Sequence, residues 1–322
     1  MKIGLCVTGA TRILTELRAH LPQDEFIEAD ASGVLALAAE CEVLIPIMTA
    51  IPAAAFAGTP VKLVQQYGVG LEGVDVEAAT RAGVWVANVP SLGTGNAESV
   101  AELAIALMMM LGRDLPGAFA RFRAGRFGAP LGQALWRSTV LILGYGGIGE
   151  EIARRLSGFD ARVIAVSRHG PQGKRPRDAS VALAQHLSFA ALDQVIGSAD
   201  YVVVAAPASA DNVGLVNAAM VARMKRGVFI VNIARGPVID YDALLDGLRS
   251  SHIAGAGLDV FWREPFPADD PLLAENVIAT PHIGGVTVAS LEGIGARAAA
   301  GIEALRRGEL PPNCINPAAR SL

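Results

Sequence analysis

The segment Thr139–Leu143 is a short apolar run that ends in Gly144-Tyr145-Gly146-Gly147-Ile148-Gly149, and a helical pattern, Glu150–Leu156, follows without a break. A strand that passes through Gly-x-Gly-x-x-Gly directly into a helix belongs to a βαβ unit, because the helix must return over the sheet to begin the next parallel strand. Each glycine has its own task in such a turn. Gly144 permits the tight turn, Gly146 lets the main chain approach a bound pyrophosphate, and Gly149 lets the helix pack close to the strand. The N–H groups at the helix start, from Gly147, Ile148 and Gly149, would face the anion. The spacing alone also occurs in ordinary glycine-rich turns; the strand before it and the helix behind it make it a dinucleotide site.

The rest of the chain repeats this alternation. Strand patterns at Ile3–Val7, Val43–Ile47, Leu63–Tyr67 and Val84–Val89 are separated by helical patterns such as Thr11–His20 and Val76–Ala82. A second series begins at Thr139 and continues through Arg162–Val166, Tyr201–Ala205, Val228–Ile233, Ala256–Val260 and Val277–Thr280. These are continuous apolar runs, as expected of parallel strands buried on both faces. The pattern predicts an α/β fold of two doubly wound, Rossmann-like parallel sheets, with an apolar helix near Glu98–Leu111 bridging them and a helix at Leu291–Arg307. A length of 322 residues suits two domains.

Composition narrows the function. The chain is 52% hydrophobic and 18% charged, with a formal net charge of −4, so it has no electrostatic footprint for nucleic acid. No apolar run is long and unbroken enough for a membrane span. The start, MKIGLCV, reads as a strand and lacks the features of a signal peptide. Cys6, Cys41 and Cys314 are too scattered for a metal cluster or a disulfide framework. A cytoplasmic location is the expectation.

The strand Arg162–Val166 runs into Ser167-Arg168-His169, where a site for NAD would usually present Asp or Glu to the adenosine ribose. Arg168 stands there instead, with Lys174, Arg175 and Arg177 close behind. Positive charge and hydroxyl donors suit a 2′-phosphate, so the expectation is NADP(H) by preference, with NAD(H) usable. Arg168 has most weight; the later basic residues also suit a solvated loop.

Three polar residues lie just past strand ends in the second series. Arg235 follows Val228–Ile233, Glu264 follows Leu258-Asp259-Val260-Phe261, and His282 follows Val277–Thr280. Ligands of open parallel sheets bind at the carboxyl ends of the strands, so the three side chains can converge there. Reduction of a 2-keto acid needs a proton donor for the carbonyl oxygen, and histidine is suited to that near neutral pH. A neighbouring carboxylate favours imidazolium and orients the ring. Arginine matches a carboxylate with its planar fork. His282 is therefore assigned as acid/base, Glu264 as its partner and Arg235 as substrate clamp. The other histidines, His20, His169, His186 and His252, lack such a setting.

With these residues in place, the chain resembles the D-isomer-specific 2-hydroxyacid dehydrogenases from about Leu63 to Val286. The resemblance rests on ordered blocks: Gln66-Tyr67-Gly68-Val69-Gly70 with Val74-Asp75, then Asn96-Ala97-Glu98-Ser99-Val100-Ala101-Glu102, the glycine turn, and the Arg, Glu and His segments. It implies a substrate domain made of residues 1–98 and 290–322, a dinucleotide domain of 99–289, and a site in the cleft between them. It implies that the backbone of Tyr67, Gly68, Val69 and Gly70 binds the substrate carboxylate. Asp259 would lie near the nicotinamide amide, and Ala206, Pro207, Ile233, Ala234 and Gly284 would line the cofactor. Family members are commonly homodimers, so a homodimer acting on a small 2-keto or 2-hydroxy acid is expected, with the bridge helix contributing to its surface or simply to the core.

Departures from the family pattern sharpen this. Members that prefer NAD usually have Asp where Ser167 stands, which places the chain closest to the NADP-preferring glyoxylate and hydroxypyruvate reductases. Ala206-Pro207 and Asn212 replace positions where Thr is common. Formate dehydrogenases of the family use Gln as the histidine partner, and Glu264 argues against formate. The end at Leu322 leaves no room for the regulatory domain of some phosphoglycerate dehydrogenases. The alternatives are a dehydrogenase of a larger or phosphorylated acid, of phosphoglycerate or aryl-lactate type, and a cofactor-sensing corepressor.

Overall fold

The structure, a computed structural model, describes residues 1–172 and 181–320. The chain forms two compact units, Met1–Asn96 with Thr287–Leu322, and Ala97–Val286.

The first unit contains β1 (Lys2–Leu5), α1 (Thr11–His20), β2 (Glu25–Glu28), α2 (Val34–Glu40), β3 (Val43–Ile45), β4 (Leu63–Gln65), α3 (Val76–Arg81) and β5 (Trp85–Ala87). Its five-stranded sheet has the order β2-β1-β3-β4-β5, with every pair parallel. Helices cover both faces. Leu14 and Leu17 of α1 pack on one side, Leu37, Ala38, Ala78 and Ala79 of α2 and α3 on the other.

The second unit follows with α4 (Asn96–Gly112, entered at its first residue), α5 (Leu115–Arg123), β6 (Thr139–Leu143), α6 (Gly147–Leu156), β7 (Arg162–Ser167), β8 (Gln185–Ser188), β9 (Tyr201–Val204), α7 (Ala218–Arg223), β10 (Val228–Asn232), α8 (Tyr241–Arg249), β11 (Ile253–Leu258) and β12 (Val277–Ala279). The chain then returns to the first unit as α9 (Val288–Arg306), where Ile294, Ala298 and Ile302 join the α1 side of the core. Among the described residues the second sheet has seven strands in the order β12-β11-β10-β9-β6-β7-β8, all parallel.

This is the expected fold class, and its strand periodicity is visible in the packing. Along β6, Leu141 and Leu143 face α7 and α8, while Val140 and Ile142 face α4 and α6. The apolar bridge helix is core: Ala104, Leu107, Met108 and Leu111 of α4 are at most 3% exposed. Among the described residues no single helix is long and apolar enough to cross a membrane.

The differences from expectation lie at edges and ends. β2 and β8 were not readable as strands, because each is an edge strand with polar residues, EFIE and QHLS. Several strands also stop short of their apolar runs. β3 ends at Ile45 because Pro46 follows and Ile47 has a positive φ of 55°. The residues beyond these ladders turn into the loops that bear the candidate site.

The order in the second sheet fixes where a ligand can sit. β6 is flanked by β7 on one side and β9 on the other, so the winding reverses there and a crevice opens between the loops at their carboxyl ends. The glycine turn leaves β6 at that point.

Candidate active site

Gly144 has a φ of 102°, and a Cβ on it would overlap the main chain of Ala205 and Ala206, beyond β9. Only glycine fits on both counts. A Cβ on Gly149 would overlap the Gly144 carbonyl, so α6 lies directly over the turn. Gly146 is different: a Cβ there would meet nothing within 4 Å. Internal packing therefore does not require glycine at 146, whereas close approach of a ligand to the backbone does. No side chain caps α6 at Gly146, so its first N–H groups are not claimed by a cap. Two buried hydroxyls nearby, Tyr145 Oη on the turn and Ser209 Oγ on the loop after β9, lack partners among the described residues. Burial pushes the Tyr145 phenol up to about 12, with Glu150 adding to the shift. An uncapped helix start, an open glycine and unsatisfied hydroxyls at a switch point fit a nicotinamide dinucleotide.

The glycine turn is tied to the end of β7. Gly144 N donates to Val166 O at 2.8 Å, tying the turn to the last residues of that strand. Ser167 comes next, its Oγ 2.9 Å from Nε2 of His186 on β8. Arg168 is exposed and pairs with Asp211 at 3.3 Å. Lys174, Arg175 and Arg177 lie outside the described residues. Ala206 is buried and Pro207 exposed; the Pro207 carbonyl accepts from Asn212 Nδ2 at 2.7 Å. Ile233 N reaches back to Val204 O at 3.3 Å.

The Arg, Glu and His loops meet in this same unit. Glu264 Oε2 lies 2.8 Å from His282 Nδ1, with the side chains 23% and 27% exposed. Glu264 Oε1 accepts Phe261 N at 2.9 Å, which fixes the carboxylate from its other side. Burial raises the Glu264 pKa, but His282, the Phe261 N–H and the charge of Arg235 outweigh it and hold the group below its ordinary range. Glu264 is thus a carboxylate facing an imidazole, within the field of an arginine.

The loops are held by groups that sequence reasoning had not assigned to that task. Asn232, fully buried at the end of β10, donates from Nδ2 to Arg235 O at 2.9 Å and accepts Ala234 N at 3.1 Å. This side-chain-to-backbone turn shapes the residues that present Arg235. Asp259, 2% exposed, accepts Thr280 Oγ1 at 2.6 Å and the N–H groups of Ile283 and Gly284 at 2.8 Å each. It clamps both flanks of His282, which sits between them at a positive φ of 54°. A non-glycine residue is held there only when its surroundings over-determine it, and Asp259 supplies that constraint. A Cβ on Gly236 would overlap the Phe261 carbonyl and Trp262 nitrogen, so the Arg235 turn rests directly on the loop leading to Glu264. An Asn at a strand end three residues before Arg was the one readable signal for Asn232.

The remaining expected residues belong to the first unit. Tyr67 Oη donates to Leu291 O at 2.7 Å, and burial pushes its phenol well up. The carbonyls of Gly68 and Val69 accept from Val89 N and Asn88 Nδ2, both at 2.8 Å. In trans peptides the N–H groups of Val69 and Gly70 then point the opposite way, available to an anion.

A dinucleotide turn beside a carboxylate–histidine pair and an arginine is the equipment of an NAD(P)-dependent oxidoreductase. Comparison with known proteins agrees. Residues 105–284 match the model of the D-isomer specific 2-hydroxyacid dehydrogenase NAD binding domain. A glyoxylate reductase of Pyrococcus horikoshii is 31% identical over 95% of this chain and 94% of its own length. A D-3-phosphoglycerate dehydrogenase of Mycobacterium leprae is 36% identical over 89% of this chain and 53% of its own. Among solved structures, a Thermus thermophilus protein superposes with a TM-score of 0.83 at 29% identity, over 98% of this chain and 100% of that one. The chain belongs to the D-isomer-specific 2-hydroxyacid dehydrogenase family.

Proposed function

We propose that the chain is an NADP(H)-dependent reductase of small 2-keto acids of the glyoxylate or hydroxypyruvate kind. The Glu264–His282 pair at 2.8 Å is the observation that carries the chemistry. A nicotinamide cofactor held at the glycine turn would supply the hydride for C2 of the keto acid. The guanidinium of Arg235 would hold the substrate carboxylate. Arg235 also draws charge toward the carbonyl oxygen as it turns into a hydroxyl. His282 Nδ1 is committed to Glu264, so Nε2 is the nitrogen that gives its proton to that oxygen. Ionised Glu264 accepts Nδ1–H throughout and steadies the imidazolium before the proton leaves. Asp259 and Gly284 would border the nicotinamide end, at the foot of the His282 loop.

Ser167 and Arg168 support the NADP(H) preference, since no carboxylate faces the ribose from the end of β7. The Arg168–Asp211 pair is exposed, and such pairs are weak, so a 2′-phosphate can compete for the guanidinium. Arg168→Asp is expected to weaken NADPH binding by roughly 10- to 100-fold while changing NADH far less. Titration of both cofactors checks this, and an equal loss for the two would remove Arg168 from the phosphate site.

The similarity to a phosphoglycerate dehydrogenase favours a second reading, a dehydrogenase of a phosphorylated acid. Relative kcat/KM for glyoxylate, hydroxypyruvate, phosphohydroxypyruvate and phenylpyruvate separates the two. A preference for the phosphorylated acid would replace the first reading with the second.

A homodimer is supported by a run of exposed large apolar side chains on α5 and the segment after it: Phe119, Phe122, Phe127, Leu131 and Trp136. Phe122 and Phe127 meet edge to face with centroids 6.0 Å apart, and exposed apolar side chains of this size suit an interaction surface. Light scattering should give twice the chain mass; a monomer would contradict the assignment. The free thiols Cys6, Cys41 and Cys314 are in keeping with a reducing cytoplasm.

A further inference from the structure

We infer that His186 is a specificity-determining residue of the cofactor site, positioning the Ser167 hydroxyl so that its proton is offered to the 2′-phosphate of NADPH. This rests on the NADP(H) reading above and deepens it. The argument begins with register. β7 and β8 run parallel, with Ala165 opposite His186 and Ser167 opposite Ser188, so His186 and Ser167 reach each other diagonally. The contact is specific: Ser167 Oγ and His186 Nε2 are 2.9 Å apart. The imidazole also packs against the Tyr145 ring in a tilted contact, with centroids 5.0 Å apart. Tyr145 belongs to the glycine turn, and Gly144 is itself bonded to Val166 at 2.8 Å. Side chains from the turn, β7 and β8 therefore form one connected group at the position where the ribose of a dinucleotide is recognised.

The chemistry of the pair distinguishes the two cofactors. Burial lowers the His186 pKa, which favours a neutral ring with a single N–H. With that proton on Nε2, Ser167 Oγ accepts it, and the serine proton, which in the free protein reaches only the long 3.5 Å contact to Gly170 O, can turn to donate to the phosphate. A hydroxyl that already accepts a hydrogen bond is a stronger donor. A phosphate dianion needs donors and rewards them with a charge-assisted bond, whereas a ribose hydroxyl can donate to Ser167 itself and gains little from the arrangement. Arg168 shares its charge with Asp211, which leaves an oriented hydroxyl with a substantial part in the discrimination.

The test is calorimetric titration of the whole protein with NADPH and with NADH. His186→Leu and Ser167→Ala should each weaken NADPH by roughly tenfold while holding NADH within about twofold, and the double variant should be no weaker than either single one. His186→Gln, which keeps an N–H donor, should recover most of the NADPH affinity. Retained NADH binding shows that a variant is folded. A wild-type protein without NADPH preference would overturn the cofactor reading and this inference together. A wild-type preference that survives in His186→Leu, or additive losses in the double variant, would overturn this inference alone.

Discussion

His282→Ala should reduce kcat for keto-acid reduction by roughly 10²- to 10⁴-fold, the usual contribution of a positioned proton donor. Cofactor affinity should stay near wild type, because the glycine turn, Ser167 and Arg168 are untouched. Glu264→Gln keeps an acceptor for Nδ1–H but removes the negative charge, so its loss should be smaller. The double variant should be no worse than His282→Ala, since Glu264 acts through the histidine. The pH dependence follows from the same pair. The Glu264 carboxyl is held below its ordinary value of 4.5 by His282, the Phe261 N–H and Arg235, against the opposing effect of burial. A lowered folded pKa contributes stability above the unfolded pKa, and that stability disappears as pH falls through the folded value. Glu264 therefore stays charged through the neutral range, and its contribution is lost only in acid, below 4.5. Glu264→Gln should flatten the acid limb of the melting-temperature profile. An unchanged kcat in His282→Ala would dismantle the proposed chemistry.

Gly236→Ala should be strongly damaging. The added carbon would overlap the Phe261 carbonyl and the Trp262 nitrogen, which are main-chain atoms and cannot swing aside. Phe261 and Trp262 are themselves anchored. Phe261 stacks on Phe266 at 4.6 Å, and Trp262 Nε1 donates to Ile239 O at 2.6 Å. Relief must come from moving the Arg235 turn away from the Glu264 loop. We expect a loss of about 3 kcal/mol and a fall in Tm of roughly 6–12 °C. Displacing Arg235 by even ~1 Å should cost about 100-fold in kcat/KM. Gly158→Ala is the control, because a Cβ there meets nothing within 4 Å, and it should be nearly silent. A Gly236→Ala protein as active and stable as wild type would show that the two loops do not depend on each other.

These two loops show what could and could not be read from the residues. Strands such as β6 and β10 are buried on both faces, so their apolar runs are continuous and their ends locate Arg235 and the glycine turn. His282 and Glu264 could be placed past strand ends for the same reason. Edge strands give no such signal: Glu25 and Glu28 of β2 are exposed, and β8 offers only Leu187 as an aliphatic residue. His186 was passed over because its meaning depends on β8 lying beside β7. The supports of the site were hidden by distance along the chain. Asp259 bonds to a nitrogen 25 residues away, and Glu264 meets a histidine 18 residues away. Gly236 looked like any glycine after an arginine, since its constraint comes from Phe261 across a tertiary contact. Local pattern reports burial and turn chemistry; it does not report which loops are clamped together.

The most direct test of the central claim is the loss of reduced-nicotinamide absorbance when NADPH, the protein and glyoxylate or hydroxypyruvate are mixed. The arrangement of Arg235, Glu264 and His282, with Ser167 and Arg168 at the end of β7, predicts rapid oxidation of NADPH, slower oxidation of NADH, and near silence in His282→Ala. No turnover with either cofactor across 2-keto acids, including phosphorylated and aryl ones, would contradict it.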